Sequence, residues 1–116
     1  MKAKEIIEAL DLEILTKNVD FEKEVKDAYA CDLLSNVLSK AEEESAWLTM
    51  QTHMNIVGVA SIKRIPIIII TEESIVPEDT IKKAEENEII IVRAKDDTFT
   101  VSGKLYNLFR EEQCNE

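Results

Sequence analysis

Glycine is nearly absent from this chain: among 116 residues only Gly58 and Gly103 occur. Two isolated glycines cannot build a G-x-G-x-x-G or G-x-x-x-x-G-K-[ST] loop, which excludes ordinary dinucleotide and P-loop nucleotide sites. A G-x-S-x-G nucleophile elbow is also missing. Proline is as scarce, at Pro66 and Pro77, and so few breakers predict short loops without a flexible linker. There is one histidine, His53, and there are two distant cysteines, Cys31 and Cys114. They cannot supply the four closely spaced ligands of a zinc site, and no metal or cofactor is expected. Nor do two distant cysteines make a disulfide framework, so a reducing, cytoplasmic setting is expected. The longest apolar run, Ile65 to Ile70, is interrupted by Pro66 and falls far short of the roughly 20 residues that span a membrane. The start, Met1 to Glu5, leads into an amphipathic segment and not a signal core.

Positive charge is in the minority too. Fourteen Lys and Arg face 24 Asp and Glu, for a net charge of -10. Phosphate backbones and anionic lipid surfaces need clustered cations, so neither nucleic acid nor membrane is expected as a partner. What is present is ordinary for a folded domain: 45% hydrophobic residues, in a length that suits one domain.

The periodicity predicts an α/β domain. Ala3, Ile6, Ile7 and Leu10 stand at helical spacing. Leu12–Thr16 reads as a short strand, and 17–24 as a polar connection. Val25–Ala30 reads as a strand, followed by a helix with Leu33, Leu34, Val37, Leu38 and Ala41 inward and Asp32 as its N-cap. Ala46–Met50 is a further strand, then a helix on Ile56, Val57 and Ala60. Gly58 in its interior predicts a close approach of helix or sheet. The four isoleucines Ile67 to Ile70 predict a central parallel strand buried on both faces. Pro77 opens a helix with Glu78 and Asp79 in its first turn. Ile89–Val92 is the last strand, and Asp97 or Thr98 caps a helix with Val101, Leu105, Leu108 and Phe109 inward. This alternation predicts a three-layer domain over 1–110, its mainly parallel sheet covered by helices on both faces, with a polar tail at 111–116.

Ligands of such sheets bind beyond the strands' carboxyl ends. Thr49, Thr52, His53, Asn55 and Thr71 fall there and are the candidate ligand-binding residues. Thr52 and Asn55 also suit capping of the following helix without any ligand. Cys31, next to a helix start, reads more simply as a half-buried small residue. Trp47 reads as a core or interface anchor. Glu72-Glu73 and Asp96-Asp97 are acidic pairs of the kind that coat a surface. No set of residues amounts to a catalytic constellation.

Three stretches together carry a family likeness: Val25 to Ser35 (VKDAYACDLLS), Trp47 to Val57 (WLTMQTHMNIV) and Asp97 to Tyr106 (DTFTVSGKLY). They resemble the DRTGG domain family from about Lys2 to Phe109, most closely its small stand-alone members found near hydrogenase and redox genes. Similar domains form the amino-terminal part of HPr kinase/phosphorylase and sit in CBS-domain pyrophosphatases and some phosphotransacetylases as accessory modules. The resemblance implies a non-catalytic regulatory or interaction module, a homodimer, with a protein partner in a redox system. A small-ligand sensor around His53 is the alternative, and an enzyme acting on a phosphorylated small molecule is a distant third. The family's two motifs are altered here. Asp-Arg falls near Thr52-His53-Met54-Asn55, with neither residue kept. Thr-Gly-Gly becomes Thr71-Glu72-Glu73, where glutamate adds bulk and negative charge in place of conformational freedom.

Overall fold

The computed structural model describes residues 1–114. Ten elements follow one another: α1 (Ala3–Ala9), β1 (Glu13–Ile14), β2 (Asp27–Ala30), α2 (Leu34–Lys40), β3 (Ser45–Thr49), α3 (Asn55–Lys63), β4 (Ile67–Ile70), α4 (Glu78–Glu86), β5 (Ile90–Arg93) and α5 (Thr98–Cys114). The strands form one sheet in the order β1-β5-β4-β3-β2. β2, β3, β4 and β5 are parallel, and β1 closes the far edge antiparallel to β5.

Alternation along the strands divides the core in two. Ala46, Leu48, Ile67, Ile69, Ile90 and Val92 point to one face, where they meet Ile6 and Ile7 of α1 and Val101 and Leu105 of α5. Trp47, Ile68, Ile70 and Ile91 point to the other, against Val37 of α2, Ile56 and Val57 of α3, and Ala84 of α4. The three crossover helices therefore share one face and the two terminal helices share the opposite one, as a three-layer α/β domain requires. All four isoleucines of β4 are fully buried. Truncating one to alanine costs about 2–5 kcal/mol, a large share of the roughly 5–15 kcal/mol that holds a domain folded.

Trp47 is a core residue, fully buried, and its indole N–H donates to the Cys31 carbonyl at 2.8 Å. At the sheet's other edge Arg93 holds Glu13 at 2.8 Å and fixes β1 against β5. The amino-terminal ammonium lies 2.6 Å from Glu24 and 3.5 Å from Glu112, so the first residue packs beside the last helix.

Several boundaries differ from the sequence expectation. β1 shrinks to two exposed residues, because Leu12 and Thr16 are buried from the turns on either side of it. Leu33 and Leu38 are exposed, not inward, since the short helix α2 fully buries Val37 alone. Gly58 lies on the solvent side of α3, and a Cβ there would meet nothing within 4 Å, so no close approach explains it. α5 runs through Cys114, so residues 111–114 are helical where a polar tail was expected, while 115–116 lie outside the described residues. Both glycines are inside helices, and left-handed turn positions fall to other residues, Asn18, Arg64, Glu72 and Glu73 among them.

Candidate functional site

The parallel strands end together, and three polar groups gather there. The first is built on Asp32. Its carboxylate accepts the Thr49 hydroxyl at 2.7 Å and the Met50 N–H at 2.9 Å. Thr49 Oγ1 in turn accepts the Gln51 N–H at 3.1 Å, and the Gln51 amide donates to the Asp32 carbonyl at 3.2 Å. Asp32 is therefore not the N-cap of α2: Leu33 holds that position, and no side chain caps it. The reason is competition. The Thr49 hydroxyl is fully buried and needs a partner, and Asp32 is the acceptor within reach.

The second group lies where β4 ends. Thr71 is fully buried, and its hydroxyl shares a 2.7 Å hydrogen bond with that of Thr98. The Thr98 N–H, first in α5, donates to the Glu72 carboxylate at 2.9 Å. Asp97 caps the same helix, its carboxylate accepting the Thr100 N–H at 2.8 Å, and these bonds to Thr100 hold its pKa below the usual carboxylate value. Of the two expected caps, Asp97 takes the role, and the Thr98 hydroxyl turns to Thr71 instead. Two carboxylates thus sit at the positive end of the α5 dipole, where negative charge is stabilised. Glu72 and Glu73 hold left-handed φ of 63° and 52°, the region that favours glycine.

The third group opens α3. The His53 ring accepts the Asn55 N–H, the first of α3, at its Nδ1, 3.1 Å away. Met54 holds the N-cap position, so the ring one residue before it takes a free helix N–H where Thr52 or Asn55 was expected to cap. The neutral ring then carries its proton on Nε2. Thr52 contributes its carbonyl, which accepts the buried Thr80 hydroxyl at 2.8 Å. The fold brings Thr49 and Thr71 side by side, since the Thr71 N–H donates to the Thr49 carbonyl at 3.0 Å. Both hydroxyls are nevertheless spent on neighbouring protein groups. Thr52, His53 and Asn55 form a separate, largely exposed turn.

Cys31 is half-buried, its thiol 3.6 Å from the Leu33 carbonyl, and Cys114 is exposed. Asp96 pairs with Lys104 at 2.8 Å. Among the described residues no group of three or more His, Cys, Asp or Glu is placed to hold a metal ion. None of the described helices is long and apolar enough to cross a membrane.

Sequence reasoning missed a groove of about 430 Å³ between the edge strand β2 and α5, on the face of the sheet covered by α1 and α5. No sequence signal marks it: Ala28 and Ala30 of β2 face Tyr106 and Phe109 of α5 across it, and only the fold brings these two elements together.

The family model of the DRTGG domain matches residues 5–108. No curated protein matches the chain. The fold is similar to that of the CBS and DRTGG domains of the regulatory region of Clostridium perfringens pyrophosphatase, a structure complexed with its activator diadenosine tetraphosphate. The TM-score is 0.70 at 16% identity, over 87% of this chain and 44% of that one. This chain therefore spans less than half of that regulatory region.

Proposed function

The chain belongs to the DRTGG domain family, and we propose that it is a non-catalytic regulatory module that works by protein association, as a homodimer. The observation that carries this is the state of the strand ends. Asp32 is bound to Thr49 and Glu72 to Thr98, so the polar groups where an α/β enzyme would place its chemistry are engaged with one another. The regulatory role draws support from the relative of similar fold, which is itself part of a regulatory region. Association draws support from large apolar side chains left in solvent, Phe99 and Ile75 above all, at 86% and 83% exposure. The resemblance to stand-alone members near redox genes nominates a protein of a redox or hydrogenase system as partner. Two unbridged cysteines suit the cytoplasm.

Sedimentation equilibrium tests the dimer: a mass of twice 13.2 kDa is expected at micromolar concentration. A monomer throughout that range sinks self-association. Pull-down from a native extract tests the redox partner, and recovery of no redox protein sinks that assignment.

Ligand sensing at the strand ends is the second possibility, favoured by the relative's complex with an activator. It would use Thr49, Thr52, His53, Asn55 and Thr71. A thermal-shift screen with wild type and His53→Ala decides it, and equal shifts in the two chains sink that site.

A further inference from the structure

We propose that the groove between β2 and α5 binds a small organic anion with a flat apolar body. Its volume, about 430 Å³, lies within the roughly 300–1,000 Å³ of small-molecule sites. Small side chains make room for such a body: Ala28 and Ala30 on the edge strand, with Leu48 behind them. Tyr106 and Phe109 of α5 supply aromatic surface on the opposite wall. The site lies on the face of the sheet covered by α1 and α5, away from the turn that carries His53.

Charge complementarity selects the anion. The chain as a whole carries -10, yet the groove is lined by Lys26, Asp27 and Arg110. The Asp27 carboxylate already accepts the Ala28 N–H at 2.8 Å. The Lys26 ammonium is held only by an exposed contact with Glu44 at 3.4 Å, of a kind worth little in water. Arg110 lies 5.9 Å from the Tyr106 ring centroid and donates to its hydroxyl at 3.4 Å, with no carboxylate partner among the described residues. A guanidinium held against an aromatic ring meets both halves of the ligand, the ring by stacking and the anionic group by charge-assisted hydrogen bonds. The groove is half-open, and its volume of about 430 Å³ is that of a small-molecule site. The assignment does not depend on self-association.

The test is an amide NMR titration of the full chain with AMP and with indole-3-acetate, which pair a flat ring with a phosphate or a carboxylate. Adenosine and inorganic phosphate, each with one half of that chemistry, serve as controls. At least one of the two ring anions should saturate the amides of Ala28, Ala30, Tyr106 and Phe109, and the one that does identifies the headgroup. Adenosine and phosphate should bind about tenfold more weakly, and Arg110→Gln should lose about tenfold, the size of one charge-assisted interaction. Ala30→Leu, which fills the groove from an exposed position, should block binding and covers the case in which Arg110→Gln misfolds. The proposal falls if neither ring anion saturates these amides below about 1 mM. It falls equally if the shifts centre on His53 and Thr71, if both variants bind as wild type, or if groove amides shift on dilution alone, which would show a second copy in the groove.

Discussion

The Thr49 hydroxyl donates to the Asp32 carboxylate at 2.7 Å, tying the chain beyond the edge strand β2 to the end of its neighbour β3 across 17 positions of sequence. Removing the carboxylate in Asp32→Ala leaves a fully buried hydroxyl without its acceptor. The expected loss is about 1–3 kcal/mol in urea denaturation. Adding Thr49→Val should recover part of it, because the orphaned donor is then gone. Helix content should hardly change, since Asp32 does not cap α2. A drop in helicity with stability intact would contradict this geometry.

The two glutamates at the end of β4 differ in what they give back. Both take a left-handed backbone, which costs a residue with a Cβ about 1–2 kcal/mol. Glu73→Gly should therefore stabilise the protein by about 1 kcal/mol. Glu72→Gly should gain less, because it also removes the carboxylate that accepts the first N–H of α5, a cap worth about 1 kcal/mol. Thermal melts of the two variants test the ordering, and Glu72→Gly as the more stable one would refute it.

Gly58 and Gly103 lie within helices with open space where a Cβ would stand. Each replacement by alanine should add about 1 kcal/mol to the stability of the monomer. If copies pack through α5 near Gly103, Gly103→Ala should in addition weaken the dimer while Gly58→Ala leaves it unchanged. Sedimentation of both variants reads this directly.

Glu22 links the loop before β2 to the start of α1. Its carboxylate lies 2.8 Å from both Lys2 and Lys4, and their hydrogen bonds lower its pKa to about 2. A carboxyl whose folded pKa is depressed contributes stability above its unfolded pKa and loses it as pH falls through the folded one. The contribution of Glu22 should accordingly be complete at neutral pH and fade from about pH 4.5 down to about 2. Salt should weaken it, as the group is exposed. Glu22→Gln should flatten that limb of the stability–pH curve, and an unchanged limb would show that other carboxylates govern it.

The layers were legible because burial writes itself into composition. Ile67 to Ile70 needs no partner to be read as a central strand, and the charge order of α4 marks its direction. Asp97 was legible as a cap because capping is local, three residues from acceptor to donor. Asp32 has the same residue type and setting and was misread, because its partner Thr49 is distant in sequence and close only in the fold. His53 escaped notice at the start of α3 since its ring, not a short hydroxyl or amide, takes the free N–H of Asn55. The groove beside β2 was invisible for another reason: it is made of Ala28 and Ala30 on one element and Tyr106 on another. No local pattern records the space between two elements.

The contact of Met1 with Glu112 has a consequence for engineering and for heritable rearrangement. Chain entry and a late turn of α5 occupy one spot on the surface, so the fold is close to a closed loop. A short linker from the end of α5 to Met1, with new ends opened in an exposed turn such as the one at Glu42-Glu43, should leave every strand pairing in place. The same proximity lets such a module be threaded into a loop of a host protein without prying the host's own backbone apart.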